Sequence, residues 1–242
     1  MPESAFALLR ELHDGLPAVA HVGMLVPWAN TMVETELPRL GLDKVVWHYA
    51  RLMPDDQSTT LDDGFLTGLI RAMPVALKQL SRLPVSTVYL ACTAAGFTFP
   101  AVSEYGTGQH DWPTVVTAFE ALVTTLRQLT VRRVVLLTPY PARLTEREAQ
   151  ALVDCGISVL EHGSLGWADG FADARSEDVT ALLDAMRPSA LSAADAAVLS
   201  CTGWPTLDLI NKLELRLARP VISSTVAMAI AALGAVSTIG EL

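Results

Sequence analysis

Two strand frames occur twice in this chain, and that repetition limits its fold more than any other feature. "VGMLVPW" at Val22–Trp28 matches "VVLLTPY" at Val134–Tyr140, an offset of 112 residues. "VYLACTAAG" around Cys92 matches "AVLSCTGWP" around Cys201, an offset of 109. In each half an apolar run ends in Pro-aromatic, and a later one ends in Cys-Thr. Near-equal offsets are the mark of a duplicated supersecondary unit.

The stretches around these frames say what the unit is. Short β-branched or apolar runs ("AVAHVGMLV", "VVWHYARL", "STVYLAC", "RRVVLLT", "ISVLEHG", "AAVLSC", "PVISS") read as strands. They alternate with stretches of helical spacing, such as "LDDGFLTGLIRAMPVALKQLSRL", "PTVVTAFEALVTTLRQL" and "TLDLINKLELRLA". Such alternation builds βαβ units and parallel sheets. The expected fold is therefore α/β: two similar lobes with parallel sheets, related by a pseudo-twofold axis. We divide the chain into residues 1–117 plus 220–242 for the first lobe and 118–219 for the second. Ligands bind outside the carboxyl ends of strands in open α/β sheets, so facing lobes set Cys92 and Cys201 on opposite walls of one cleft.

Composition excludes several classes of function. The 242 residues are 51% apolar, enough for a substantial core. With 17 basic against 26 acidic side chains and a net charge of -9, there is no basic stripe for nucleic acid. The start "MPESAFALLRELHDG" lacks the basic and apolar regions of a secretory signal. "TVAMAIAALGAV" is too short to span a bilayer, which takes about 20 residues. We expect a soluble, cytoplasmic protein with no membrane partner. Its three cysteines form no disulfide framework, and neither they nor the histidines show zinc spacing. No metal and no cofactor is expected.

A cysteine at a strand end, before a helix or loop, has backbone N–H groups available to stabilise its thiolate. Two such thiols facing each other allow covalent or acid–base chemistry on opposite faces of a carbon beside a carboxylate. Cys92 and Cys201 are the candidate catalysts. An enediolate intermediate needs hydrogen-bond donors, for which Thr93, Thr202, Asn30 and Tyr140 are the candidate substrate-binding residues. The motif loops contain no Arg or Lys, so a carboxylate would be held by neutral donors. Asn30 equally suits a helix cap. Cys155 reads as a small core residue. His21, His48, His110 and His162 read as structural or exposed, His13 as lying on an exposed helical face, and the acids of "LDDG" and "EREAQ" as solvated helix starts.

These residues resemble a known superfamily. "GMLVPWANTMVE", "YLACTAAG", "LLTPY", "SLGW" and "LSCTGWPTLDLI...RPVISS", in order from Val22 to about Leu233, are similar to the aspartate/glutamate racemase superfamily. It includes maleate cis-trans isomerases, arylmalonate decarboxylases and hydantoin racemases. The resemblance implies two pseudo-symmetric α/β lobes, no cofactor, a small carboxylate substrate and a homo-oligomer, commonly a dimer.

The cysteine in both halves and the Asn-Thr after the first strand look most like maleate isomerase. That likeness implies that Cys92 adds to the double bond of a cis-enedioate and that Cys201 is the opposite-face acid or base. It also implies that Asn30 and Tyr140 hold carboxylates. Arylmalonate decarboxylases lack the first cysteine. Trp28, Ala29, Thr202 and Trp204 depart from the maleate isomerase pattern, and a family asparagine falls at Gly170, beside Asp169. Trp28, Phe97 and Trp204 either line a larger pocket or fill the core. Racemisation of an amino acid or hydantoin, decarboxylation of a substituted malonate, and carboxylate binding without turnover remain the alternatives.

Overall fold

A computed structural model describes residues 4–106 and 112–239. The first half runs α1 (Ala5–Asp14), β1 (Ala20–Pro27), α2 (Met32–Arg39), β2 (Val45–Leu52), α3 (Asp63–Leu80), β3 (Thr87–Leu90), α4 (Thr93–Thr98), β4 (Thr114–Thr117) and α5 (Ala118–Gln128). The second runs β5 (Arg133–Thr138), α6 (Ala142–Asp154), β6 (Ser158–Ser164), α7 (Ser176–Asp184), α8 (Pro188–Ala193), β7 (Ala196–Leu199), α9 (Leu207–Leu217), β8 (Val221–Ser223) and α10 (Ser224–Ile239). One sheet has the order β2-β1-β3-β4 and the other β6-β5-β7-β8, all pairs parallel. The second sheet thus repeats the first strand for strand, giving the two-lobed α/β fold.

Parallel strands covered on both faces are apolar throughout rather than alternating. Accordingly Val22 to Pro27 of β1 and Val134 to Thr138 of β5 are buried without a break. Register then places the motifs. Leu25 pairs with Leu90 and Leu137 with Leu199, so two residues further on Pro27 comes level with Cys92 and Pro139 with Cys201. Gly23 is needed where β1 meets β3, since a Cβ there would lie 2.4 Å from Val88 Cγ1.

Two expectations change. "PTVV" was read as the start of a helix, but Thr114–Thr117 is the edge strand β4, and the helix begins only at Ala118. Thr117 ends the strand and caps α5 reciprocally with Glu120, a capping box. The lobe boundary at 220 also moves, because β8 is hydrogen-bonded to β7 and completes the second sheet. The crossing back to the first lobe is α10, which packs on α1 and α5. Val226 to Ile230 of α10 are fully buried. An all-apolar helix of this kind belongs in a core. No helix among the described residues is long and apolar enough to cross a membrane.

The lobes are fastened away from the cleft as well. Glu36 of α2 is buried and accepts from the backbone N–H of Thr206 (2.6 Å) and Leu207 (2.7 Å), capping α9 from the other lobe. One turn on, Arg39 pairs with Asp208 through two bonds.

Candidate active site

A cavity of about 110 Å³ lies at the carboxyl ends of both sheets. A buried water takes roughly 10–15 Å³ on this measure, so the space suits a small organic acid. Cys92, Thr93 and Asn30 line it from the first lobe, and Cys201, Thr202 and Tyr140 from the second. All six candidate residues therefore meet at one place.

The Cys-Thr pairs hold each other across the cleft. Thr202 Oγ1 donates to the carbonyl of Ala91 (2.7 Å), the residue before Cys92, and accepts from Asn30 Nδ2 (3.1 Å). In the other direction Thr93 Oγ1 donates to Ser224 Oγ (3.0 Å), which also accepts from the Cys201 N–H (3.3 Å). Both threonines are buried and spend their hydroxyl protons between the lobes. Asn30 does cap its helix, accepting from the N–H groups of Met32 (2.9 Å) and Val33 (3.2 Å). That leaves its amide directed at the cavity wall.

The two sulfurs sit in unlike surroundings. Burial pushes the Cys92 thiol up to about 11, against the opposing pull of backbone N–H groups of Ala95 and Ala94. Burial pushes Cys201 up to about 12, opposed by the N–H of Gly203 (3.2 Å to Sγ) and the Tyr140 hydroxyl. At Cys201 the backbone φ is 153°, a conformation rare for a residue with a side chain. Such strain persists where surrounding bonds over-determine it, commonly at functional sites. Tyr140 is itself buried, its ring edge-on to Phe171 (6.0 Å), and burial holds its hydroxyl well above the ordinary range.

Residues 107–241 match the family model described as arylmalonate decarboxylase, more than half of the chain. The chain belongs to the arylmalonate decarboxylase family. It is 26% identical over 227 residues to a maleate isomerase of Geobacillus stearothermophilus, covering 84% of this chain and 86% of the other. It is 38% identical over 106 residues to the arylmalonate decarboxylase of Bordetella bronchiseptica, 43% of this chain and 44% of that one. Among solved structures, a Cys-to-Ser mutant of Nocardia farcinica maleate cis-trans isomerase carrying a covalently bound succinylcysteine intermediate superposes with a TM-score of 0.77. That match has 26% identity and covers 89% of this chain and 93% of the other. Both kinds of relative lie in the superfamily that the motifs resemble.

In this arylmalonate decarboxylase family member the cavity is also lined by residues outside the six candidates, of which the sequence pointed only to Gly170 and Asp169. Thr59, Leu61 and Phe65 reach the cavity from the β2–α3 side, and Asp169, Gly170 and Phe171 from the segment after β6. The two segments join where Leu61 N–H donates to the Ala168 carbonyl (2.6 Å) and Thr59 Oγ1 to Asp169 Oδ2 (2.5 Å). For the others the signal is positional only: they follow equivalent strands of the repeat.

Trp28, Phe97 and Trp204 are absent from the lining. Trp204 is fully buried, Phe97 packs edge-on to Phe119 and Trp28 Nε1 donates to the Ser58 carbonyl (2.9 Å). Cys155 caps the end of α6, half-buried rather than in the core. His13 is largely covered, accepting from the Lys44 N–H (3.3 Å), not on an exposed face. His21 and His48 bond each other across β1 and β2 (2.9 Å), His162 is exposed, and His110 lies outside the described residues.

The acids of "LDDG" behave as read, Asp62 capping α3. Glu148 of "EREAQ" does not, being fully buried behind the site with Ser200 Oγ donating to it. It stands 112 residues after Glu36, the offset of the strand frames. Among the described residues no three His, Cys, Asp or Glu side chains are grouped to hold a metal.

Proposed function

We propose that this enzyme isomerises a cis-enedioate such as maleate to its trans form, with Cys92 as nucleophile. The observation that carries this is two thiols, one from each lobe, lining a single small cavity. Maleate isomerase relatives over most of the chain, and the succinylcysteine found in one of them, support it.

As Cys92 sulfur bonds to one alkene carbon, its proton passes to a carboxylate oxygen and the π pair moves into that carboxylate as an enediol form. Asn30, Tyr140 and backbone N–H groups are the donors for the oxygens. The former double bond is now single and rotates. Expulsion of sulfur returns the electron pair and the proton, leaving the trans isomer and free Cys92 with no net oxidation. Cys201 faces the opposite side of the reacting carbons as acid or base.

Proton NMR in heavy water tests the whole set. Fumarate formed from maleate without deuterium on carbon supports addition, rotation and elimination. Deuterium in the vinylic positions would show that Cys201 delivers a proton during the cycle. Exchange at the α-carbon of a single-enantiomer amino acid or hydantoin would replace the isomerase with a racemase. Carbon dioxide release from a phenylmalonate would replace it with a decarboxylase, the reading favoured by the match over residues 107–241. Cys92→Ser should cut isomerisation by about three orders of magnitude or more while leaving the unfolding transition in place.

A further inference from the structure

Among the described residues the cavity wall contains one formally charged side chain, and it is negative. Among the described lining residues there is no Lys, Arg or His, whereas Asp169 stands at the mouth. Its carboxylate is fixed at both oxygens, Oδ1 by the Gly170 N–H (2.7 Å) and Oδ2 by the Thr59 hydroxyl (2.5 Å). Two arginines of neighbouring elements are engaged elsewhere. Arg51 pairs with Glu34 and donates to the carbonyls of Trp28 and Asn30, and Arg147 pairs with Asp63 and donates to Thr98.

A dianion entering this cavity brings its second charge towards a held carboxylate with no cation to offset it. A group that donates a hydrogen bond meets an acceptor already in place, since a carboxylate has lone pairs beyond the two in use. The chemistry narrows what that group is. Thiolate addition needs an alkene conjugated to carbonyls, and a carboxamide keeps that conjugation while supplying N–H donors. An ammonium group supplies donors but not conjugation.

Resting on the addition and elimination argued above, we propose that the preferred substrate is the half-amide of a cis-enedioate. Its carboxylate is held by the neutral donors of the cleft and its carboxamide N–H by Asp169. No bond to nitrogen is made or broken, so the electron balance of the isomerisation is unchanged.

Unreactive saturated analogues test this by calorimetry on the full chain, with succinamate, succinate and 4-aminobutanoate compared. Because Asp169 is exposed at the mouth, the expected preference is modest, with succinamate binding at least about threefold more tightly than succinate. Asp169→Asn, which keeps the shape and removes the charge, should erase that preference. A smaller preference in the natural protein, or one that Asp169→Asn leaves intact, overturns the proposal. Tighter binding of 4-aminobutanoate than of succinamate overturns the carboxamide in favour of a cation. Turnover of maleate and its half-amide is scored separately: if neither isomerises, the isomerase chemistry fails while the binding ratios still decide the role of Asp169.

Discussion

Thr202 Oγ1 donates to the carbonyl of Ala91 at 2.7 Å, so the threonine after one cysteine holds the strand end before the other. Thr93 returns the arrangement through Ser224 to the Cys201 N–H. The duplicated Cys-Thr pair is thus a reciprocal clasp, and the threonines position the sulfurs relative to each other. Thr202→Val removes the hydroxyl and leaves the buried Ala91 carbonyl and the Asn30 amide without that partner. Urea unfolding should show a loss of about 1–3 kcal/mol, with kcat/KM falling as well. Thr202→Ser should restore both; a Ser variant no better than Val would show that the methyl group, not the hydroxyl, matters.

Glu148 makes stability depend on pH. Burial pushes its carboxyl from the ordinary 4.5 up to about 8, with the Ser200 hydrogen bond opposing. A carboxyl whose folded value is raised favours folding fully below its unfolded value. That contribution is lost as pH climbs from about 4.5 to about 8, at roughly 1.4 kcal/mol per pH unit. Glu148→Gln keeps the shape and cannot ionise. Urea midpoints between pH 5 and pH 8 should therefore show the natural protein losing stability relative to Glu148→Gln as pH rises. Parallel curves would mean that Glu148 is already ionised in the fold.

How far the sequence showed this site depends on where each residue sits. Cys92 and Cys201 end strands of a duplicated frame, so pattern alone located both and predicted that they face each other. Strand β4 was lost because Thr114–Thr117 runs straight into α5 and shares its apolar spacing. The Thr117-x-x-Glu120 box marked the true boundary. Glu148 looked like a solvated acid because its neighbours Glu146 and Arg147 are charged; only the 112-residue offset to Glu36 hinted otherwise. Thr59 and Phe171 belong to connecting segments whose paths are set by contacts between lobes, and Asp169 was marked only through the family asparagine that falls beside it at Gly170. No local spacing encodes such contacts.

The thiols should alkylate in an order opposite to their importance. With Cys92 up to about 11 and Cys201 up to about 12, roughly one molecule in ten thousand or fewer carries either thiolate at neutral pH. Both are buried, while Cys155 is half-buried at the end of α6. Peptide mapping after iodoacetamide at neutral pH should find Cys155 labelled first with activity retained. Labelling of Cys92 should then rise about tenfold per pH unit and carry the loss of activity with it. Early labelling of Cys92 at neutral pH would mean that its resting state is the thiolate.

Gly203 offers a way to disturb the reaction without disturbing the fold. A Cβ at this position would lie 3.4 Å from Cys201 Sγ, 3.5 Å from Phe171 Cδ2 and 3.8 Å from Asn30 Nδ2. These are ordinary van der Waals distances, so Gly203→Ala needs no repacking and should leave the melting temperature within about 2 °C. The added methyl group nevertheless stands in the cavity wall beside one thiol and the asparagine, where substrate must come close. Displacing a reactant by about 1 Å can cost on the order of a hundredfold in rate. Gly203→Ala should therefore lower kcat/KM by about tenfold or more at unchanged stability. Full activity in this variant would mean that substrate does not approach Cys201 from the Gly203 side, and the opposite-face role of that thiol would fall with it.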